Sequence, residues 1–197
     1  TAACLLFFLS SCAPGTERTY MHSSENPSRN LLRNTSFIQS TTVGLPDYWG
    51  AVHTANEWGD DWKQEYLEVT DEDVPFRGVK SLKITVPPGK KRMVVGNFFH
   101  YLPSMKEYTF SVYMKSGREG HKAILEIGGL YASKVEKVSG EFDVDTAWKR
   151  YVITGIPKRG HWMGGHWQFM SVAIISDSEG VLQVAAPQLE FGSQVTS

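Results

Sequence analysis

Tyr108-Thr109-Phe110-Ser111-Val112-Tyr113-Met114-Lys115 is the stretch that decides the fold. Tyr108, Phe110, Val112 and Met114 alternate with Thr109, Ser111, Tyr113 and Lys115, the period-2 pattern of a strand with one face buried. The same mark recurs outward from it. Leu82, Ile84 and Val86 alternate with polar neighbours until Pro87-Pro88-Gly89 stops them. Met93–Phe99 is a β-rich run that ends near Pro103, and Ala123, Leu125 and Ile127 alternate between Gly120 and Gly128-Gly129. Trp148–Thr154, Gln168–Ile175 and Val181–Leu189 complete the series. No segment carries apolar residues at helical spacing over three turns. Several short strands separated by turn residues predict an all-β fold, an antiparallel β-sandwich or barrel.

Composition agrees. The chain has 197 residues, 41% hydrophobic and 21% charged, enough apolar material to fill one core. Twenty Lys and Arg against 21 Asp and Glu give a formal net charge of −1, and Lys90-Lys91-Arg92 and Lys149-Arg150 are too few to make a phosphate-binding stripe. No nucleic-acid partner is expected. Both cysteines, Cys4 and Cys12, lie in the first twelve residues. Neither disulfides nor thiolate metal sites can therefore hold the remainder of the chain.

Ala2–Leu9 is an apolar run of less than half the ~20 residues a spanning helix needs. It reads as the h-region of a signal peptide whose start is missing, covering residues 1–11. Leu9-Ser10-Ser11-Cys12 resembles a bacterial lipobox, which implies cleavage before Cys12, lipidation of Cys12 and membrane attachment through acyl chains alone. Ala13 at the next position favours the outer membrane or cell surface over inner-membrane retention. Residues 12–29 are polar and rich in Ser, Pro and Thr, as a flexible tether would be. The sandwich is expected over 30–192, with 193–197 beginning a linker or next domain.

Five motifs in order carry a resemblance. Asn30-Leu31-Leu32-Arg33-Asn34-Thr35-Ser36-Phe37, Gly44-Leu45-Pro46-Asp47-Tyr48-Trp49, the Tyr108–Lys115 strand, Trp148-Lys149-Arg150-Tyr151 and Ala186-Pro187-Gln188-Leu189-Glu190-Phe191-Gly192 are similar to the motifs of jelly-roll carbohydrate-binding modules. The group is the cellulase-associated, CenC-like one of families 4, 9 and 22. The resemblance implies an opening strand at Asn30–Phe37, a jelly-roll sandwich and polysaccharide binding without catalysis. Many relatives hold a structural calcium through a Glu in the opening strand and an Asp before the closing motif. Ile38 and Ala185 stand at those positions here, so no calcium is expected.

Sugar rings offer flat C–H faces rimmed by hydroxyls, which proteins meet with Trp or Tyr beneath and polar side chains around. Trp49 is expected in the core and Trp148 in strand packing. Trp58 and Trp62 lie in a polar, Gly-containing stretch, and Trp162 and Trp167 in a tandem Gly-His-Trp pattern. Either these form a glycan platform, or their loops fold back and bury them as edge plugs. As a platform they would recruit Asp60, Asp61, His161, His166 and Gln168 as polar partners, with Tyr101 and Tyr131 as further aromatics. His161 and His166 match no common zinc spacing, and no metal site is expected. Asp71-Glu72-Asp73 reads as a solvated turn. No catalytic residues are assigned, because no nucleophile elbow or phosphate loop exists, and no spacing pairs Asp60 or Asp61 with Glu126 or Glu141. The expectation is a non-enzymatic, surface-anchored module that binds polysaccharide. Its alternatives are an ancillary structural domain covalently linked to a larger glycoside hydrolase or lyase, and an enzyme in its own right.

Overall fold

A computed structural model of the chain describes residues 30–41, 44–51, 64–90, 92–103, 106–128, 137–158 and 167–195. Ten strands lie among them: β1 (Trp49–Ala51), β2 (Leu67–Thr70), β3 (Ser81–Val86), β4 (Met93–Pro103), β5 (Tyr108–Ser116), β6 (His121–Gly128), β7 (Val138–Val144), β8 (Lys149–Gly155), β9 (Trp167–Ser176) and β10 (Gly180–Phe191). They pair antiparallel into two five-stranded sheets, β1-β4-β9-β6-β7 and β2-β3-β10-β5-β8. Of the sandwich or barrel that the alternation predicts, the fold is the sandwich, in agreement with the jelly roll that the resemblance implies.

The alternation sets what the sheets hold between them. Tyr108, Phe110, Val112 and Met114 are fully buried, and they meet Ala123, Leu125 and Ile127 of β6, Val172 and Ile174 of β9, and Leu182, Val184 and Leu189 of β10 in one core. Burying each large side chain contributes ~1.5–3 kcal/mol. Burial of the Tyr108 hydroxyl also pushes its pKa upward. Trp49 is buried as expected, its indole edge-on to Phe37 at 5.3 Å and its Nε1 donating to the Arg33 carbonyl at 3.2 Å.

Three elements differ from the sequence reading. Residues 30–37 form bends and a turn, not an opening strand. Asn30 instead clamps the kinked part of β10: its Oδ1 accepts from the amides of Leu32 (3.1 Å) and Leu189 (3.0 Å), and its Nδ2 donates to the Pro187 carbonyl (3.0 Å). The kink is a register shift between Ala185 and Gln188, with Ala186 at φ 46°. Trp148 precedes β8 rather than opening it, half-buried, with its Nε1 donating to Asp73 Oδ1 at 3.1 Å. β7 escapes a sequence reading because one of its inward positions is Gly140. A Cβ there would meet Ile153 Cγ2 at 2.5 Å, so the two sheet edges can close only over a glycine.

Candidate functional site

The two outer faces differ in kind. On the β2-β3-β10-β5-β8 sheet, polar and aromatic side chains satisfy one another. Lys83 pairs with Glu68 at 3.1 Å, and Arg150 donates to Ser111 Oγ at 3.1 Å and to Gln188. Asp73, in the solvated turn, binds Lys115, and Phe76 packs edge-on to Tyr113 at 5.4 Å. The Lys115 ammonium beside Asp73 holds its carboxyl below the usual range, against a smaller opposing effect of burial.

The outer face of the β1-β4-β9-β6-β7 sheet is built otherwise. Strand register aligns Gly50, Gly96, Ala173, Glu126 and Ser139 in one row across all five strands. For three strands nothing taller than a methyl group rises from that row. A second row aligns Val94, Ile175, Ile124 and Glu141. The face is therefore low along one row and apolar along the next, and its centre is buried, with Ala173 8% and Ile175 4% exposed. It ends on a fixed charge pair, Lys137 Nζ to Glu126 Oε2 at 3.0 Å, both side chains 20% exposed. Such a pair presents oriented polar groups next to low apolar ground. Glu126 and Glu141 share this face on neighbouring strands, offset by two residues.

The candidate residues lie in strands of this sheet or in segments that adjoin one of them, two of which, 52–63 and 159–166, also join β2 and β8 of the opposite sheet. Segment 52–63, with Trp58, Asp60, Asp61 and Trp62, follows β1 directly. Tyr101 lies within β4, opposite Phe169, rather than beyond its end. Trp167 and Gln168 open β9 opposite Pro103 and Leu102, and segment 159–166, with His161, Trp162 and His166, runs into them. Tyr131 belongs to segment 129–136, which follows β6 at Gly128, opposite Ser171. Trp58, Asp60, Asp61, Trp62, Tyr131, His161, Trp162, His166 and Cys12 lie outside the described residues, and of Tyr101, Trp167 and Gln168 the backbone alone is described. The anchor points fall at two ends: Ala51 opposite Val95, and Trp167 opposite Pro103, eight residues further along β4 and so ~26 Å away. Sequence reasoning missed the low row itself. Gly50, Gly96 and Ala173 are conspicuous only once three distant strands are in register.

The positions implied for calcium do not supply its chemistry. Ile38 is 56% exposed and Ala185 fully buried, and neither side chain has an oxygen. Among the described residues, no group of three His, Cys, Asp or Glu side chains could hold a metal ion.

No family profile matches the chain, and no curated protein matches it by sequence. Solved structures do match in fold. A cyclase from Fischerella sp. TAU in complex with 4-(1H-indol-3-yl)butan-2-one is 12% identical at a TM-score of 0.59, over 84% of this chain and 98% of that one. An arabinose-bound α-L-arabinofuranosidase, MgGH51, is 17% identical at 0.59, over 88% of this chain and 28% of that one. The carbohydrate-binding module TmCBM61 in complex with β-1,4-galactotriose is 16% identical at 0.52, over 84% of this chain and all of that one. The chain thus has the sandwich fold of a carbohydrate-binding module, a fold that enzymes also use.

Proposed function

We propose that the chain is a non-catalytic module that binds polysaccharide on the outer face of the β1-β4-β9-β6-β7 sheet. Trp58, Trp62, Trp162, Trp167, Tyr101 and Tyr131 would stack on sugar rings, and Asp60, Asp61, His161, His166 and Gln168 would meet hydroxyls. One observation carries this reading. Tyr101, Trp167 and Gln168 lie in strands of this sheet, and the segments that hold the other eight each adjoin one of its strands, 52–63 after β1, 129–136 between β6 and β7 and 159–166 before β9, the first and last joining the other sheet at their far ends. Gly50, Gly96 and Ala173 keep one row of this face low, and Glu126 and Lys137 are polar groups at its end. The module bound to galactotriose and the arabinofuranosidase bound to arabinose name the first probes, β-1,4-galactan and arabinan.

The test is affinity electrophoresis on a polysaccharide panel that includes both. Retardation is expected, reduced by Trp58→Ala and by Trp162→Ala. Binding that ignores both substitutions would remove the stacking mechanism.

A second reading is favoured by the arabinofuranosidase, in which the matched part is 28% of the chain. In that reading the sandwich is an ancillary domain beside a catalytic one, without a ligand of its own. The two part on whether the isolated domain binds sugar. Product release from the same panel would instead favour an enzyme, with Glu126 and Glu141 the carboxylates to substitute first.

The five motifs place the module with the cellulase-associated, CenC-like group in this proposal. We also propose attachment to the cell envelope through lipid on Cys12. Metabolic palmitate labelling of the protein, abolished by Cys12→Ala, is the expected result.

A further inference from the structure

Beside β1, one residue adopts a costly backbone conformation without obvious recompense. Tyr48 has φ 70°, in the left-handed region that favours glycine, and its side chain is 47% exposed. Two other non-glycine residues of the same stretch share the region, Asn34 at φ 48° and Phe37 at φ 55°, and each has a local reason. Phe37 is fully buried against Trp49. Asn34 uses its side chain three times, donating to the carbonyls of Gln39 (2.6 Å) and Asp47 (3.0 Å) and accepting from the Gln39 amide (3.1 Å). Among the described residues Tyr48 has neither burial nor such bonds.

Its neighbours hold it in place. Asp47 is fixed by its amide to the Gln39 carbonyl at 2.9 Å and by its Oδ1 accepting from both Thr41 donors at 2.8 Å. The Trp49 amide donates to the Pro46 carbonyl at 3.0 Å. Across the ring stands Arg33, its guanidinium carbon 5.1 Å from the Tyr48 centroid. The backbone of Arg33 is held too, since its carbonyl accepts from Trp49 Nε1 and from the buried Asn97 Nδ2 (3.3 Å). Among the described residues no carboxylate pairs with its guanidinium. An exposed ring with a cation over one face thus stands at the edge of the sheet on a backbone that is fixed before any ligand arrives.

Strain that persists because surrounding structure enforces it is a signature of binding sites. We propose that Tyr48 and Arg33 form a further sugar subsite at the β1 edge. A pyranose stacks on the Tyr48 face away from Arg33, and the guanidinium, behind the ring, donates past its edge to oxygen acceptors, hydroxyl or carboxylate, of an adjoining sugar of the same chain. The inference rests on the carbohydrate reading above and adds two residues to it.

The experiment is a titration of wild type, Tyr48→Gly, Tyr48→Phe and Arg33→Ala with a panel of neutral (galactan, arabinan, xylan) and acidic (polygalacturonate) saccharides, with melting temperature followed in parallel. Tyr48→Gly should lose at least about tenfold in affinity while melting no lower than wild type, because glycine accepts that φ freely. Tyr48→Phe keeps the ring and should bind as wild type does. Arg33→Ala should weaken binding, and a weakening confined to the acidic arm would identify carboxylate as the acceptor. Wild-type binding to a panel member with equal affinity in Tyr48→Gly and Arg33→Ala overturns the subsite alone. No wild-type binding to any member overturns the carbohydrate reading and the subsite with it.

Discussion

Gly140 and His121 show how single positions hold the sandwich together. The 2.5 Å approach that a Cβ at Gly140 would make to Ile153 Cγ2 cannot be relieved by a flexible side-chain end, because Ile153 is itself core. Gly140→Ala should therefore destabilise by ~1–3 kcal/mol, as overpacking does, which a urea titration would measure. His121 is fully buried, with Nε2 2.8 Å from Ser176 Oγ and Nδ1 without a hydrogen-bond partner. Burial, with Arg118 nearby adding to it, pushes the imidazole pKa down. In the unfolded chain the ring protonates at about pH 6.5, whereas in the folded protein it stays neutral to lower pH. The unfolded state then binds more protons, so stability is full above about pH 6.5 and falls as pH drops below it. Melting temperature should decline from pH 7 to pH 5, and His121→Gln should flatten part of that slope. An unchanged slope in the variant would mean that His121 does not titrate in this window.

At the scale of elements, the connection 71–80 is tied down by few contacts, chiefly Asp73 to Lys115 and Trp148 and Phe76 to Tyr113. Asp73 is exposed, so its ion pair is worth no more than ~0.2–1 kcal/mol. Asp73→Ala should lower the melting temperature slightly and increase amide exchange over 71–80, leaving saccharide affinity untouched, because this connection lies on the other sheet. Seven strands were legible, β3, β5 and β6 by apolar side chains at period 2 and β4, β8, β9 and β10 as β-rich runs bounded by turn residues. β1 and β2 are three and four residues long, too short to show a period. β7 hides its period behind Gly140. Asn30–Phe37 misleads in the opposite direction, since Asn34 and Phe37 at positive φ turn an apparently strand-like motif into a pinned bend. The side-chain clamp of Asn30 on Pro187 and Leu189 joins positions 157 and 159 residues apart. No local pattern encodes such a contact.

For the whole molecule, the order β1-β4-β9-β6-β7 matters more than any one strand. Composition picks out aromatic, Gly-rich segments as candidates, but only long-range pairing reveals that each adjoins a strand of this sheet and that Gly50, Gly96 and Ala173 align in one row across it. The closing motif carries Ala185 buried and the position after Phe37 carries Ile38 exposed, so calcium would find hydrocarbon at both. Melting curves in millimolar calcium and in EDTA should superimpose; a rise with calcium would locate a site that Ile38 and Ala185 do not build. The central claim is that saccharide lies on the outer face of the β1-β4-β9-β6-β7 sheet. Amide chemical-shift mapping with oligosaccharides from the panel tests it most directly. Shifts are expected at Gly50, Gly96, Glu126 and Ala173, with Lys83, Lys115 and Gln183 of the opposite sheet unmoved. Shifts confined to those three residues and their neighbours, or none with any saccharide, would contradict it.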